Sequence, residues 1–475
     1  MRKSVLLLLT ILLFIASCKK DNVSQPNPPS LSDQFKTDSS SLNLNGNINS
    51  IDSFTIKSNS KWTIAIEPST ANWLSLSTAN GNGDVKVYIT ADEDNTTNAV
   101  RSAKVVITPN GSSSLQPIDI TVSQLVYNPN ITNIRNAVFI GDYFGYFVRL
   151  DAATGEVKWK YQSPGRFFSS PTLANNTVYC GSGDNKLYAF DAEKGTVKWT
   201  FQTAYVVESS PVVANGIVYF TGDNHIYALD ANSGALKWQY QTEDLLNLST
   251  SVLNSPLITD GTLYVGSINN FLYALDANNG TLKWKYEAGG QFQSSPCILN
   301  GVLYAGNNDN YLYAINATDG SLKWKYETGD VVFSSPTAEN RTVYVGSNDA
   351  NLYALDASVG TLKWKTSLGN QVWSSPEIVN NTIYVGSSDK NVYALDAETG
   401  TIKWRFPTNS EVNSSPLVVN GVVYVGSMDY NLYAIEAVSG TLKWKYKSAF
   451  YFTSSPCVVD NEGKIFYSGI SGMVN

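Results

Sequence analysis

Two kinds of side chain in this sequence could do chemistry: one histidine and a repeating series of aspartates. His225 is the only histidine in 475 residues, so a Ser-His-Asp triad, a proton shuttle or a zinc site has almost no imidazole to use, and most hydrolase chemistry is disfavoured. Carboxylates recur in the polar turns that follow glycine-bearing strands, at Asp184, Asp223, Asp309, Asp349, Asp389 and Asp429. Carboxylates can bind cations, but Asp in such turns commonly accepts hydrogen bonds from its own backbone. We therefore expect no metal site, and we expect His225 to be a surface residue.

Composition narrows the fold class and the partners. Lys and Arg total 33 against 40 Asp and Glu, a net charge of −7 that speaks against nucleic acid as a partner. Aromatic residues reach 12%, charged residues only 15%, and the chain has 34 glycines. This balance is typical of turn-rich β-structure rather than of helical bundles or disorder.

A repeat positions the aspartate turns. After residue 150 the dipeptide Lys-Trp occurs eight times, 39 to 46 residues apart. Its tryptophans are Trp159, Trp199, Trp238, Trp284, Trp324, Trp364, Trp404 and Trp444. Each full unit reads as Ser-Ser-Pro with an apolar run, a Val-Tyr-Val-Gly-Ser strand, a polar turn, a Leu-Tyr-Ala-Leu-Asp strand, a glycine turn and a Thr-Leu-Lys-Trp-Lys strand. Four short strands in a unit of this length predict one blade of a β-propeller.

The chain ends share one unit. Seven units are complete, and the eighth is split between residues 137–160 and the stretch that begins at Ser454. Joining both ends within one blade closes the ring, so we predict eight blades. Both ends offer a second strand, at residues 137–141 and 464–467, so one of the two must pair irregularly or be surplus.

Residues 394–404 illustrate the chemistry of one unit. Asp396 can accept hydrogen bonds from backbone donors in its turn, and Gly400 supplies a positive φ. Ile402 and Trp404 share one face of the last strand, so each repeat tryptophan should pack against the neighbouring blade. Lysines on the other face discourage pairing with another chain. We interpret the eight tryptophans as structural, blade-docking residues.

The pattern Ala-x-Asp-x-x-x-Gly-x-x-x-Trp resembles the tryptophan-docking repeat of the PQQ-like β-propellers, from about residue 137 onward. That superfamily contains quinoprotein dehydrogenases and the propeller lipoprotein of the outer-membrane β-barrel assembly complex. The departures are few: Arg149 replaces the first Ala in the split unit, and Asn316 and Glu436 replace the Asp in two others. The resemblance implies a fold, and a cofactor does not follow from a fold.

A quinoprotein dehydrogenase would imply PQQ over a tryptophan, a disulfide between adjacent cysteines, bound Ca²⁺ and an aspartate base. No two cysteines are adjacent here, and we expect Cys180, Cys297 and Cys457 to be free, packed thiols. The units are nearly minimal, with one short insertion near residues 242–253, too little for an elaborated cofactor cover. We therefore expect neither PQQ nor calcium, and a protein that is not an enzyme.

The loops that lead from each last strand to the next Ser-Ser-Pro should line one face of the ring around its central channel. The residue before each Ser-Ser-Pro varies, which is expected of a protein or glycan contact surface, although loops also vary without a function. The candidate rim comprises Arg166, Phe168, Tyr205, Glu208, Gln293, Phe333, Trp373, Asn413 and Tyr451, with Phe292 and Phe452 nearby. Trp373 is the leading candidate, as the only tryptophan of the repeat region outside the docking set.

The N-terminus reads as a targeting segment. A basic start precedes an apolar run from Val5 to Ile15 that is too short for a permanent membrane span. Ile15-Ala16-Ser17-Cys18 resembles the bacterial lipobox, which implies removal of residues 1–17 and lipidation of Cys18. An ordinary signal peptide cleaved elsewhere is the alternative. Proline-containing residues 18–32 read as a tether. We expect an outer-membrane lipoprotein of the cell envelope, on either the periplasmic or the surface-exposed side.

Residues 33–126 alternate apolar and polar positions in short strands, which predicts an immunoglobulin-like β-sandwich. The stretch at Trp73, residues 98–103 and residues 122–124 resemble the BACON domain of Bacteroidetes surface proteins, for which carbohydrate or mucin binding has been proposed. Because Trp62 and Trp73 lie in alternating strand patterns, we expect core positions and favour a spacer over a carbohydrate platform.

The sequence therefore predicts an all-β protein, in which a small immunoglobulin-like sandwich precedes an eight-bladed PQQ-like β-propeller over residues 127–475. We expect a non-catalytic, lipid-anchored binding protein whose propeller contacts envelope proteins or glycans. The alternatives are an outer-membrane protein assembly scaffold and a PQQ-dependent dehydrogenase.

Overall fold

The computed structural model describes residues 35–44, 51–93, 95, 100–110, 115–124, 134–242 and 254–467. Within these ranges the chain forms strands and turns and no helix, and so none that could cross a membrane. The signal peptide, Cys18, the tether and most of the insertion near residues 242–253 lie outside the described residues. The chain divides into two compact units near Gln124.

The first unit contains two sheets that share one apolar core. In sheet order, the first consists of Phe35–Thr37, Ile51–Ser58, Val85–Ala91 and Leu74–Leu76. The second consists of Ser41–Leu44, Ile118–Gln124, Arg101–Asn110, Lys61–Glu67 and Asn80–Asn82. Trp62 is fully buried, its indole N–H donates to the carbonyl of Gly83 at 3.0 Å, and Trp73 is also buried. Both tryptophans therefore belong to the core, as their alternating patterns predict.

The second unit repeats one antiparallel sheet. The described residues after 133 form eight sheets, seven of four strands and one of five. In the seven, the first strands are Thr172–Ala174, Val212–Ala214, Leu257–Thr259, Cys297–Leu299, Thr337–Glu339, Glu377–Val379 and Leu417–Val419. The second strands are Thr177–Ser182, Ile217–Gly222, Thr262–Gly266, Val302–Gly306, Thr342–Gly346, Thr382–Ser387 and Val422–Gly426. The third strands are Lys186–Asp191, His225–Asp230, Phe271–Asp276, Tyr311–Asn316, Asn351–Asp356, Asn391–Asp396 and Asn431–Glu436. The fourth strands are Val197–Gln202, Leu236–Gln241, Leu282–Glu287, Leu322–Glu327, Leu362–Ser367, Ile402–Pro407 and Leu442–Lys447.

The eighth sheet, here called the closing sheet, joins the two ends of the repeat region. Its order is Val157–Gln162, Tyr146–Asp151, Ala137–Gly141, Cys457–Val459 and Ile465–Tyr467. Cys457–Val459 occupies the first-strand position and pairs with Ala137–Gly141, which resolves the choice between two second strands. The surplus strand Ile465–Tyr467 pairs with the other edge of Cys457–Val459 and adds a fifth strand.

First strands of neighbouring sheets contact one another, whereas fourth strands alternate exposed and half-buried residues. The first strand is therefore the inner edge of each four-stranded sheet, and the fourth strand is the outer edge. The apolar cores lie between neighbouring sheets; one of them combines Tyr304 and Ala314 of one sheet with Val343 and Leu355 of the next. Such cores explain why second and third strands read as continuous apolar runs.

The repeat tryptophans bind the neighbouring sheet by their indole N–H groups. Each donates to the carbonyl of the alanine that follows the third strand of the next sheet, at 2.9–3.1 Å. In sequence order the acceptors are Ala192, Ala231, Ala277, Ala317, Ala357, Ala397, Ala437 and Ala152. The last bond returns to the closing sheet, so the series is circular.

A tyrosine on the second strand of each four-stranded sheet reinforces one of these bonds. Its hydroxyl donates to the same alanine carbonyl at 2.8–3.2 Å, as Tyr179 does beside Trp199 on Ala231. Burial raises the pKa of Tyr179 to about 12, so the phenol stays protonated and remains a donor. Phe139 occupies this position in the closing sheet, so the carbonyl of Ala192 accepts from Trp159 without a tyrosine hydroxyl beside it.

Candidate binding face

Aspartates fix the turns between second and third strands and the loops beside them. Asp389 accepts from the hydroxyl of Tyr393 at 2.5 Å and from the backbone N–H of Asn391 at 3.0 Å. Asp349 accepts from Tyr353, from the N–H of Asn351, and from the N–H of Gly329 in the preceding loop. The other Asp–Tyr pairs are 184 with 188, 223 with 227, 309 with 313 and 429 with 433. These carboxylates therefore brace the loop face.

The electrostatics of these pairs agree with a structural role. Burial raises the pKa of Asp349, but hydrogen bonds from Tyr353 and from the backbone of Gly329 and Asn351 outweigh it, and the net shift is downward. Burial, together with the bond to Asp349, raises the pKa of Tyr353. In this pair the carboxylate of Asp349 therefore stays charged and the phenol of Tyr353 stays protonated. Among the described residues, no three His, Cys, Asp or Glu side chains lie close enough to share a metal ion.

Aromatic rings converge on the loop face where the two ends of the repeat region meet. The rings come from the closing sheet, from the sheet before it and from the loop after it. Together with Arg166 we call them the seam cluster. Its members are Tyr143, Phe144, Arg166, Phe168, Tyr430, Phe450 and Tyr451. Phe144 and Phe450 stack with ring centroids 4.8 Å apart at 12°, and Tyr143 lies 4.4 Å from Tyr451. Phe144 is 52% exposed and Tyr430 41% exposed. The cluster therefore exposes two of its six aromatic rings to solvent, and the other four are half-buried.

Arg166 organises one edge of the seam cluster. Its guanidinium lies 4.5 Å from the centroid of the Phe168 ring and 5.4 Å from that of Tyr143, and it forms a 2.9 Å ion pair with Glu208. Burial lowers the pKa of Arg166, but the bond to Glu208 outweighs it and the net shift is upward. The arginine is charged and held by rings on two loops and by a carboxylate on a third.

The structure separates the remaining rim residues from this cluster. Phe333 and Trp373 form an edge-to-face pair with centroids 5.5 Å apart, and Trp373 is 43% exposed. Gln293 donates to the side chain of Gln291, and Tyr205 is exposed. Asn413 accepts from the hydroxyl of Ser388 and donates to Glu411 and to the sulfur of Met428. Arg166, Phe168, Glu208 and Tyr451 are thus brought together, while the other five rim residues lie elsewhere on the loop face.

Two aromatic residues expected beside the rim are not on it. Phe292 and Phe452 are buried and pack against Gly266 and Gly426 of second strands. The same loop position carries Phe167, Val207, Val332, Val372 and Val412, all buried. A position that is apolar in every unit belongs to the scaffold, and this regularity was the available signal. The sequence analysis missed four residues of the seam cluster, because none of them directly precedes a Ser-Ser-Pro. They are Tyr143, Phe144, Tyr430 and Phe450.

The remaining candidate groups are the three cysteines of the repeat region and His225. Cys180, Cys297 and Cys457 are free and buried, and burial raises the pKa of each thiol. His225 is half-buried rather than on the open surface, with its Nδ1 2.9 Å from the carbonyl of Asp223. No two of these cysteines are adjacent in the sequence, and none of the three forms a disulfide.

Comparisons with protein families identify both units. The model described as "Beta-alanine-activating enzyme, beta-propeller" matches residues 120–381, more than half of the chain. The model described as "Outer membrane protein assembly factor BamB" matches residues 330–472. The BACON model, described as "Putative binding domain, N-terminal", matches residues 54–125. The resemblances to PQQ-like propellers and to the BACON domain are therefore confirmed.

Solved structures share the fold at low identity. BamB from Moraxella catarrhalis is 22% identical, with 65% of this chain and 93% of that chain covered and a TM-score of 0.54. A europium-containing methanol dehydrogenase is 15% identical, with 62% and 81% covered and a TM-score of 0.55. The computationally designed Ika8 protein is also 15% identical, with 66% and 94% covered and a TM-score of 0.55. No curated protein matches the sequence. The neighbours include enzymes and non-enzymes, so they show the fold alone.

Proposed function

This chain belongs to the β-propeller family whose model matches its residues 120–381, and from that premise we propose that it is a non-catalytic binding protein of the cell envelope. Its eight sheets form one closed eight-bladed ring, and its loop face binds an envelope protein or a glycan. The N-terminal two-sheet unit is an immunoglobulin-like spacer between this ring and a lipid anchor at Cys18.

The seam cluster is the observation that carries the proposal. Soluble proteins seldom leave adjacent aromatic rings exposed unless they contact something. Tyrosine and phenylalanine rings held by stacking lose little conformational entropy on binding, and Arg adds a charged hydrogen-bond donor, which is the composition of binding hot spots. Phe144 and Tyr430 remain exposed although their neighbours hold them in place.

A scaffold for outer-membrane protein assembly is the second candidate. The assembly-factor model matches residues 330–472, and BamB from Moraxella catarrhalis has the same fold. The analogy does not explain the N-terminal unit, because residues 54–125 of that unit match the BACON model instead. Partner identity separates the two candidates.

The test is cross-linking of the full chain in its native envelope, followed by identification of captured partners. Phe144→Ala and Trp373→Ala variants should fold normally but capture less partner than the unaltered chain. Val438→Ala is the matched control, because Val438 is 85% exposed in a turn between third and fourth strands, at the other end of its sheet. Assembly factors among the partners would favour the scaffold, and polysaccharide-uptake components would favour glycan binding. Equal capture by all variants would contradict the proposal.

A PQQ-dependent dehydrogenase is the enzymatic alternative, which the dehydrogenase neighbours keep open. Adding PQQ and Ca²⁺ to the purified full chain and assaying dye-linked oxidation of alcohols and sugars tests it directly. We expect no turnover above a control without protein. Robust turnover would overturn the non-catalytic assignment.

A further inference from the structure

The turn that carries Phe144 lacks the aspartate that braces the other turns of the loop face. In six of the seven four-stranded sheets this position carries Asp, which accepts from the hydroxyl of a tyrosine four residues later, and in the seventh it carries Asn269. In the closing sheet Phe144 stands at the position of the aspartate and Val148 at that of the tyrosine. Neither side chain can form the regular brace. Yet Phe144 has the most exposed ring of the seam cluster.

Asp142 forms an alternative brace from two residues earlier in the chain. Its Oδ1 accepts from the backbone N–H of Phe144 at 3.0 Å and from that of Tyr146 at 2.8 Å. Its Oδ2 accepts from the hydroxyl of Ser448, in the preceding loop, at 2.5 Å. These are the two tasks of the regular aspartate, which fixes its own turn and holds the preceding loop.

A carboxylate at the position of Asp142 is specific to the closing sheet. Six of the four-stranded sheets carry an uncharged polar side chain there: Ser182, Ser267, Asn307, Ser347, Ser387 and Ser427. Asp142 is fully buried, and hydrogen bonds engage both of its oxygens. Burying a carboxylate costs free energy unless it is hydrogen-bonded. The buried carboxylate is explained by the position that it leaves open for Phe144.

Asp142 also joins the segments that carry the seam cluster. Ser448 precedes Phe450 by two residues, and the Phe450 ring stacks on that of Phe144. The backbone carbonyl of Asp142 accepts from the N–H of Phe167, in the loop after the closing sheet, at 3.0 Å. One residue therefore connects the turn with the loop before the closing sheet and with the loop after it.

Gly145 confirms that this turn is closely packed. It has φ 90°, and a Cβ there would lie 2.5 Å from the carbonyl oxygen of Ser163 and 2.6 Å from that of Gly165. At the same position Ala350 and Lys390 also have positive φ but carry side chains. The loop after the closing sheet thus leaves no room for a side chain at residue 145, and the backbone beside Phe144 is confined on both sides.

We propose that Asp142 is a positioning residue of the seam cluster, which holds the turn so that the Phe144 ring faces the binding partner. The inference rests on the proposed function, because it assigns Phe144 to the contact surface. A ring that is fixed before binding loses little conformational entropy when it contacts a partner. Asp142 itself is buried and acts only through the turn and the preceding loop.

The first test measures the turn without any partner. Hydrogen–deuterium exchange of the purified full chain is read from the peptide that covers residues 142–147. Asp142→Ala leaves the N–H groups of Phe144 and Tyr146 without their acceptor, so exchange should be about tenfold faster, as expected for the loss of a hydrogen bond to a charged group. Asp142→Asn keeps an acceptor for both N–H groups and can donate to the Oγ of Ser448, so it should exchange nearly as slowly as the unaltered chain.

Asp309→Ala is the matched control for this test. Asp309 forms a regular brace, since it accepts from the hydroxyl of Tyr313 at 2.6 Å and from the N–H of Gly289 at 3.1 Å. Its replacement should speed exchange in its own turn and leave residues 142–147 unchanged. Unchanged exchange at residues 142–147 in Asp142→Ala would overturn the proposal and leave the proposed function standing. Faster exchange in all eight sheets would also overturn it, because Asp142 would then support the whole fold.

The second test connects the turn to binding, by cross-linking in the native envelope. Asp142→Ala should capture less partner than the unaltered chain, whereas Asp142→Asn and Asp309→Ala should capture as much. The double variant Asp142→Ser with Phe144→Asp gives both positions the residues of a regular sheet. It should slow the exchange of Tyr146 again but not restore capture, because the exposed ring is gone. Faster exchange in Asp142→Ala with full capture would contradict both this proposal and the role of the seam cluster in the proposed function.

Discussion

The indole Nε1 of Trp444 lies 3.0 Å from the carbonyl oxygen of Ala152, to which it donates, although 292 positions separate the two residues. The hydroxyl of Tyr424 donates to the same oxygen at 3.1 Å. The equivalent bond between Trp324 and Ala357 spans only 33 positions. Loop closure costs more entropy over the longer separation, so the contact at Ala152 depends on both ends of the repeat region meeting.

Replacing Trp444 should destabilise the ring where it closes. Trp444→Ala removes a half-buried indole and its bond to Ala152, and we expect the free energy of unfolding to fall by about 3 kcal/mol in urea denaturation. Trp373→Ala is the control, because Trp373 is exposed and contacts Phe333 only edge to face; its loss should cost less than about 1 kcal/mol. Similar losses for both variants would show that docking indoles have no special stabilising role.

Alanine substitutions at two glycines distinguish the cost of backbone strain from the cost of a steric clash. Gly421 has φ 74° and open space where a Cβ would lie, whereas Gly400 has φ 71° and would place a Cβ 2.6 Å from Cε3 of Trp364. Gly421→Ala should therefore cost about 1 kcal/mol for the left-handed backbone. Gly400→Ala should cost about 3 kcal/mol or more, because the docking indole must move. Thermal unfolding of both variants measures the difference in stability. Equal losses of stability would mean that the Trp364 indole moves aside at little cost.

The sequence predicted the scaffold well because the scaffold repeats. The spacing of Trp364 and Trp404, the turn at Asp396 and the positive φ of Gly400 each follow from local rules that recur unit by unit. The backbone N–H groups of Glu398 and Thr399 do donate to Asp396, as the turn chemistry predicts. A contact that recurs in every unit leaves a repeated residue pattern, and a single sequence is enough to show that pattern.

The binding face was predicted only in part, because its contacts occur once. Tyr143 contacts Tyr451 where the two ends of the repeat region meet, and no periodic pattern in the sequence predicts that pair. The hydroxyl of Tyr393 reaches Asp389 four residues earlier, a spacing that does repeat and could have been read from the sequence. A non-repeating loop contact depends on backbone paths that local patterns do not specify.

Removing the hydroxyl of Tyr353 should weaken the brace at Asp349 in a pH-dependent way. The folded-state pKa of Asp349 lies below its ordinary value, so the bond stabilises the fold above about pH 4 and its contribution is lost as the pH falls further. Tyr353→Phe should cost about 2 kcal/mol at pH 7, and the cost should shrink in acid.

A neighbouring tyrosine provides the control for this brace. Tyr326 packs against Tyr353 with ring centroids 5.9 Å apart, and its hydroxyl has no hydrogen-bond partner among the described residues. Tyr326→Phe should leave unfolding by urea nearly unchanged at both pH values. A cost for Tyr353→Phe that stays constant from pH 7 to pH 3 would argue against a charged acceptor.

Neutralising Glu377 should stabilise the inner strand in alkaline solution. Burial, and then the charge of Glu339, raises the pKa of Glu377 to about 8, above the ordinary value of 4.5. The folded chain therefore holds a proton that the unfolded chain releases, so this group lowers stability progressively as the pH rises from about 4.5 to 8. Because Glu377 is half-buried and solvent screens part of its charge, we expect Glu377→Gln to raise the free energy of unfolding by about 2 kcal/mol at pH 9. Urea titrations at pH 5 and pH 9 measure this, with the exposed Glu398→Gln as control. A gain that is equal at both pH values would mean that Glu377 does not titrate in this range.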